Sequence, residues 1–260
     1  MSEETFQRYS AYYDLLYRDK DYETEADSVA RALRAANPNT HSVLEFGSGT
    51  GRHGRLLAEH GFDVFGIERS QTMVTTARSF TDDSAVGRES GIFDCVQGDI
   101  QTTTLNRPFH AVLALFHVVS YQTTDADVDR TFANAARHLS ADGIFFFDVW
   151  HGPAVLHERP AVREKRVEDA TTLLTRLAEP RLDVDRHTVT VRYSITAQSK
   201  IDNQITEFQE EHCMRYFFPE EITSFARKTG FNVERSEEFL TAQPPSDRTW
   251  GVAYLLRKRT

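Results

Sequence analysis

Val43-Leu44-Glu45-Phe46-Gly47-Ser48-Gly49-Thr50-Gly51 decides the fold of this chain. An apolar run breaks into three glycines at alternate positions, and Arg52-His53-Gly54-Arg55-Leu56-Leu57 then reads as the start of a helix. A buried parallel strand ends, the backbone turns tightly, and a helix N-terminus faces a crevice. Glycines without side chains let a ligand lie against the main chain, so Gly47, Ser48, Gly49 and Gly51 outline a nucleotide or nucleoside pocket.

The residues around the loop narrow the ligand. A dinucleotide fingerprint places a third glycine where this chain has Arg52, and a pyrophosphate would sit on the helix N-terminus. Glu45, just before the turn, would repel a pyrophosphate but can accept hydrogen bonds from an ammonium group. Asp63-Val64-Phe65-Gly66-Ile67-Glu68 is a second short strand, and its terminal Glu68 is placed to receive two ribose hydroxyls. Cys95-Val96-Gln97-Gly98-Asp99-Ile100 is a third, where Asp99 can accept from an adenine amine and Ile100 cover the ring. Taken singly, Glu68 or Asp99 reads more readily as a solvated strand end. Together they describe ammonium, ribose and adenine contacts in chain order.

On these residues the chain resembles the class I S-adenosylmethionine-dependent methyltransferases from about Tyr9 to the C-terminus. Glu45–Gly51 is similar to that family's cofactor loop, Glu68 to its ribose acid, and Gly98-Asp99-Ile100 to its adenine motif. The resemblance implies S-adenosylmethionine as cofactor and says little about the methyl acceptor.

At 260 residues the chain is one large domain or one domain with an insertion. A formal charge of −9 argues against nucleic acid as a partner, because phosphates need a dense basic face. The two cysteines, Cys95 and Cys213, fall in predicted strands, where buried free thiols are expected, and no metal-ligand spacing appears. No apolar stretch approaches the roughly 20 residues of a membrane span. Met1-Ser2-Glu3-Glu4 is acidic and polar, unlike a secretory signal. The expectation is a cytoplasmic protein, monomeric or homodimeric, acting on a small molecule.

Residues 5–35 read as helical, and residues 41–150 alternate strand and helix: 42–47, 52–60, 63–68, 70–80, 93–97, 109–115, 125–139 and 143–149. That alternation implies a Rossmann-like α/β fold with a mostly parallel sheet and flanking helices. Asp142-Gly143 reads as the turn into the fifth strand. After Trp150 the rhythm changes to β-rich stretches at 171–177, 188–197 and 204–218, with Thr188–Ile195 alternating as a half-exposed antiparallel strand does. A helix returns at 219–229, and strands at 233–240 and 249–258 complete a seven-stranded parent sheet as a hairpin. The expected organisation is a cap and cofactor-binding core over 1–150, an antiparallel lid over 151–218, and the rest of the core over 219–260. The lid springs from the carboxyl edge of the sheet, where ligands bind. Residues 151–200 hold nine Lys/Arg against seven Asp/Glu, and guanidinium forks there could clasp a diphosphate. Solvated, edge-protecting charges are the alternative reading.

Methyl transfer from a sulfonium is an in-line displacement that needs alignment, exclusion of water, and removal of a proton where the nucleophile carries one. The fourth strand runs into Phe116-His117-Val118-Val119-Ser120-Tyr121. There Phe116 could cover the methionine part of the cofactor, while His117 and Tyr121 could face the acceptor. The N-terminal segment is rich in tyrosine, and Tyr13 and Tyr22 resemble family tyrosines that reach cofactor and acceptor. Tyr13 thus joins His117 and Tyr121 as a catalytic candidate, and Met73 joins the cofactor set. The expected acceptor set is Trp150, Arg166, Arg176, Arg192, Tyr193 and Arg215.

Tyr13-Asp14, Lys20-Asp21-Tyr22, the antiparallel lid and Glu210-Glu211-His212 resemble the nucleotide-sugar N-methyltransferases of deoxyamino-sugar biosynthesis. That resemblance implies N-methylation of an amine on a nucleotide-linked sugar. Those enzymes carry a histidine near the acceptor amine where this chain has Tyr121, with His117 four residues earlier, so O-methylation of a hydroxyl or carboxylate stays open. An NAD-dependent oxidoreductase and a non-catalytic binding protein are the rival classes. Arg52 and Glu45 count against the first, and the intact set of Glu45, Glu68 and Asp99 against the second.

Overall fold

The computed structural model describes residues 8–80 and 91–260. The acidic N-terminus and the first residues of the predicted 5–35 helix lie outside the described residues.

Among the described residues, seven strands form the parent sheet: β1 (Ser42–Phe46), β2 (Asp63–Glu68), β3 (Phe93–Gln97), β4 (Phe109–Ala114), β5 (Leu139–His151), β10 (Phe231–Glu238) and β11 (Gly251–Lys258). The first five run parallel in the order β3-β2-β1-β4-β5, β11 lies antiparallel against β5, and β10 pairs antiparallel with β11. Helices α2 (Tyr22–Ala36), α3 (Arg52–Glu59), α4 (Gln71–Ser79), α5 (Asp125–His138) and α7 (Pro219–Lys228) flank it. The pleat sends alternate residues to opposite faces. Val43, Ile144 and Phe146 therefore pack with Val29, Leu33 and Leu57 of α2 and α3. Leu44, Phe46, Phe145 and Phe147 meet Phe132 of α5 and Phe225 of α7 on the other face.

The single N-terminal helix expected over 5–35 is broken. A 3-10 turn at Tyr9–Tyr12 and the short α1 (Tyr13–Leu16) precede α2, because Asp21 caps the later start by accepting the Thr24 N–H at 3.0 Å. Tyr9 and Leu16 pack on Leu174, Ile195, Ala197 and Phe208, so this segment docks on the lid sheet. The fifth strand also starts earlier than expected. Asp142, at φ 58°, sits within β5 at an irregularity in its pairing with β4, not at a turn before it.

The lid strands are β6 (Arg163–Glu168), β7 (Thr172–Asp183), β8 (Thr188–Ser199) and β9 (Ile205–Phe217), paired antiparallel in chain order. The last joins the parent sheet through a short parallel pairing of Trp150 with Tyr216 and His151 with Phe217. Two elements lacked a signal in the expected pattern: α6 (Gly152–Glu158), opened by Pro153 in its first turn, and β6, whose run of charges shows no apolar alternation. Cys95 is buried as expected, but Cys213 is exposed, since its side chain faces outward from β9. No helix among the described residues is long and apolar enough to cross a membrane.

Candidate active site

A cavity of about 820 Å³ lies at the carboxyl ends of β1 to β5, closed above by the N-terminal segment and by β8 and β9. That size suits a small-molecule cleft. It divides naturally into a loop-and-acid end and an aromatic end.

The glycine loop does three different jobs. Gly49 adopts φ 55° with open space where a side chain would stand, and it lines the cavity. Gly47, also in the wall, has φ 67°, and a Cβ there would meet Val118 at 2.6 Å. Gly51 does not reach the cavity: at φ 75° it opens α3, and a Cβ would strike the Phe93 ring at 2.5 Å. Ser48 is likewise turned away, packed over Gly66. Glu68 lines the cavity and backs the loop, accepting the Gly49 N–H at 2.9 Å and the Ser70 N–H at 2.7 Å.

Glu45 is displaced from its expected role. It shares a strand face with Val43, so its carboxyl points toward α3 beneath the loop, beside Gly54, and forms no part of the cavity wall. It is 2% exposed, and its Oε2 has no hydrogen-bond partner among the described residues. Burial, and then the nearby Glu68, push its carboxyl up from 4.5 to about 8, with Arg55 pulling the other way. Between those values the folded chain keeps a proton that the unfolded chain has released, so stability falls as pH rises toward about 8. Glu45→Gln should therefore raise the melting temperature more at about pH 8 than at about pH 5. Equal gains in a thermal scan at both values would refute a protonated Glu45.

At the end of β3, Asp99 and Ile100 line the cavity with Met73 of α4. Asp99 Oδ1 accepts the Gln101 N–H at 2.8 Å, and Gln101 Nε2 donates to Gln122 Oε1 at 2.7 Å. Gln101, Gln122 and Asp127 also face the cavity. Sequence reasoning missed these three because two isolated amides in loops and an acid in the first turn of a helix carry no spacing signal.

Phe116 and His117 follow β4 with φ of 62° and 64°, a left-handed pair without a glycine. Phe116 meets the Tyr17 ring edge-on with centroids 5.2 Å apart, and Lys20 Nζ lies 4.6 Å from the Phe116 centroid. His117 Nδ1 lies 2.5 Å from Asp148 Oδ2. Asp148 is fully buried; burial works against its charge, but His117 outweighs it and holds the carboxyl below its ordinary range. The only sequence signal for Asp148 was an acid interrupting the apolar run 144–149. Tyr121 OH lies 2.9 Å from His212 Nδ1, and His212 Nε2 stands 3.5 Å from Glu210 Oε2. Glu210 Oε1 in turn accepts the backbone N–H groups of Arg8 and Tyr9, each at 2.9 Å. Tyr13 lines the cavity too. Burial first, then neighbouring phenols, push Tyr13 and Tyr121 well above the ordinary tyrosine range, so both act as neutral hydroxyls near pH 7. Tyr22, by contrast, stands behind the wall, its ring against His53 and under Lys20 and Arg52.

Trp150 and Tyr193 line the aromatic end with Tyr9, Tyr17, His212 and Met214. The lid arginines mostly do not. Arg192 lies on the opposite face of β8 from Tyr193 and pairs with Glu179 at 2.9 Å. Arg166 is exposed on β6, away from the cavity. Arg215 is buried between Asp125 at 2.7 Å and Glu221 at 2.6 Å, a tie between β9, α5 and α7. Only Arg176 approaches, donating to the hydroxyls of Tyr9 at 2.9 Å and Tyr17 at 3.2 Å just behind the wall. Strand alternation thus spends most of the lid's charge on solvent and on ion pairs.

The loop-and-acid end fits S-adenosylmethionine. The space over Gly49 admits the ligand against the backbone, Glu68 offers carboxylate lone pairs, and Met73 and Ile100 supply apolar cover. When bound, that cofactor supplies an electrophilic methyl group.

Residues 43–143 match the methyltransferase domain family. The chain is 28% identical over 225 residues to the dTDP-3-amino-3,6-dideoxy-alpha-D-glucopyranose N,N-dimethyltransferase of Streptomyces fradiae, covering 85% of this chain and 83% of that one. It is 26% identical to the dTDP-3-amino-3,4,6-trideoxy-alpha-D-glucopyranose N,N-dimethyltransferase of Streptomyces venezuelae, over 86% of this chain and 90% of the relative. Among solved structures, Streptomyces venezuelae DesVI superposes with a TM-score of 0.77 at 25% identity, covering 95% and 97% of the two chains. An S-adenosylmethionine-dependent methyltransferase from Clostridium acetobutylicum ATCC 824 gives 0.80 at 18% identity, over 98% and 99%.

Proposed function

We propose that this chain, a class I S-adenosylmethionine-dependent methyltransferase, delivers its methyl group to the amine of a nucleotide-linked deoxyamino sugar. The observation that carries the reading is the aromatic end of the cavity. Two imidazoles stand there, each beside a carboxylate: His117 with Asp148, and His212 with Glu210. His117 offers a ring acceptor backed by negative charge directly, and His212 offers one through the Tyr121 hydroxyl it holds. Both suit an N–H donor, and tyrosine and tryptophan rings suit the faces of a deoxygenated sugar. Three relatives that each span 85% or more of this chain are named for acting on dTDP-linked amino sugars, which supports the nucleotide portion. Both reactants are cytoplasmic metabolites, so the proposal places the enzyme there.

In this arrangement Glu68 and the Gly47–Gly49 backbone orient the cofactor, while Phe116 and the tyrosine cap exclude water. The test offers the purified protein S-adenosylmethionine with dTDP-3-amino-3,6-dideoxyglucose or with its 3-hydroxy counterpart, and reads the products by mass spectrometry. Methyl groups gained by the amino sugar alone support the proposal, and their number shows whether one or two are added. Methylation of the hydroxy sugar alone would replace it with an O-methyltransferase.

A further inference from the structure

We propose that His117 is the base that takes the acceptor's proton and that Asp148 is the positioning residue that fixes its ring. The inference rests on the amino-sugar reading above. One carboxylate oxygen, Asp148 Oδ2, lies 2.5 Å from His117 Nδ1 and also accepts the His117 backbone N–H at 3.1 Å. Ring and main chain of the same residue are therefore held by a single atom. That double hold accounts for the left-handed backbone at His117, a conformation that persists in a side chain of this size only where its surroundings over-determine it. Asp148 is fully buried, and its Oδ1 has no hydrogen-bond partner among the described residues. A buried carboxylate of this kind is tolerated when an opposite charge forms beside it.

The 2.5 Å approach of Nδ1 to the Asp148 carboxylate calls for the ring proton on Nδ1, which puts the lone pair of His117 on Nε2, and His117 lines the cavity. The charged and titratable groups around the pair are Lys20, which precedes α2 and interacts with Asp148, His53 of α3, which also interacts with Asp148, Tyr17 against Phe116, and Tyr121 on the turn that follows. Trp150 of β5 and Gly251 of β11 close the remaining sides without charge.

Nε2 of His117 takes one proton from the acceptor's ammonium, and the imidazolium so formed faces the Asp148 carboxylate. The freed nitrogen lone pair forms the N–C bond to the methyl carbon as the carbon–sulfur bond breaks, with that electron pair staying on sulfur. His117 then releases its proton to solvent. The methylated nitrogen is again an ammonium, so a second methylation would need the same proton removal.

Steady-state kinetics of His117→Ala with the amino-sugar nucleotide should show kcat lowered roughly 10²-fold near neutral pH, with cofactor affinity within about twofold of wild type. The deficit should shrink above the acceptor amine's own pKa, where solution has already removed the proton. Asp148→Asn should lower kcat by less than His117→Ala while leaving cofactor affinity unchanged. A wild-type kcat in His117→Ala, or a deficit that does not change with pH, overturns the proposal. A readout independent of the acceptor is the ring ¹⁵N spectrum of the histidines. Neutral His117 should carry its proton on Nδ1 in the wild type, and Asp148→Asn should shift those signals. A neutral ring protonated on Nε2 would overturn the proposal even if the amino-sugar reading itself failed.

Discussion

Glu68→Ala should weaken S-adenosylmethionine binding by roughly a hundredfold, equivalent to about 3 kcal/mol. Two losses combine. Glu68 is 7% exposed at the end of β2, and its carboxylate lies where it can accept from ribose hydroxyls. The same two oxygens accept the N–H groups of Gly49 and Ser70, so they also hold the glycine loop and the first turn of α4 in place. Removing the side chain deprives the ligand of an acceptor and leaves two backbone donors short of a partner. Glu68→Gln keeps the shape but exchanges one acceptor for a donor, and should fall between wild type and alanine. Calorimetric titration with the cofactor decides the matter: unchanged affinity in Glu68→Ala would sink the ribose assignment.

Phe132→Ala should cost about 4 kcal/mol of stability and lower the melting temperature by about 10 °C. Phe132 is fully buried on α5, with ring centroids 5.2 Å from Phe145, 5.3 Å from Phe147 and 6.2 Å from Phe225. It therefore ties α5 and α7 to β5, the strand that ends in Asp148 and Trp150. Truncation leaves a cavity among rigid rings that cannot collapse to fill it. Thermal denaturation followed by circular dichroism gives the value, and a drop of only a degree or two would show that the core repacks. Cofactor affinity measured well below the transition should change little, since Phe132 does not line the cavity.

The cofactor end was the more legible half of the site. Gly47, Gly49, Glu68, Met73, Asp99, Ile100 and Phe116 all line the cavity, because a parallel strand ending in a tight turn delivers its last residues to one edge. Glu45, Ser48 and Gly51 belong to the same stretch but are turned elsewhere. Strand alternation and the φ of 75° at Gly51 settle that, and neither is visible in a motif. The aromatic end was less legible. Its partners are distant in sequence: Tyr121 finds His212, Glu210 finds the amides of Arg8 and Tyr9, and Arg176 finds Tyr9 and Tyr17. The basic lid illustrates the limit, since net charge along a segment says nothing about the face each side chain occupies.

The sequence by itself determined the parallel sheet, the strand ends that line the cavity, and an antiparallel segment after the fifth strand. These follow from local rules: apolar runs, period-two alternation, glycine punctuation and acids at strand termini. Only the tertiary structure decided which side chains share the aromatic end. It folded the N-terminal segment onto the lid, directed Arg192 and Arg215 away from the cavity, and put buried Asp148 behind His117. The physical reason is range. A strand–turn–helix is set by neighbours a few residues apart, whereas a hydrogen bond from β5 to the loop after β4 exists only once the sheet has brought the two ends together.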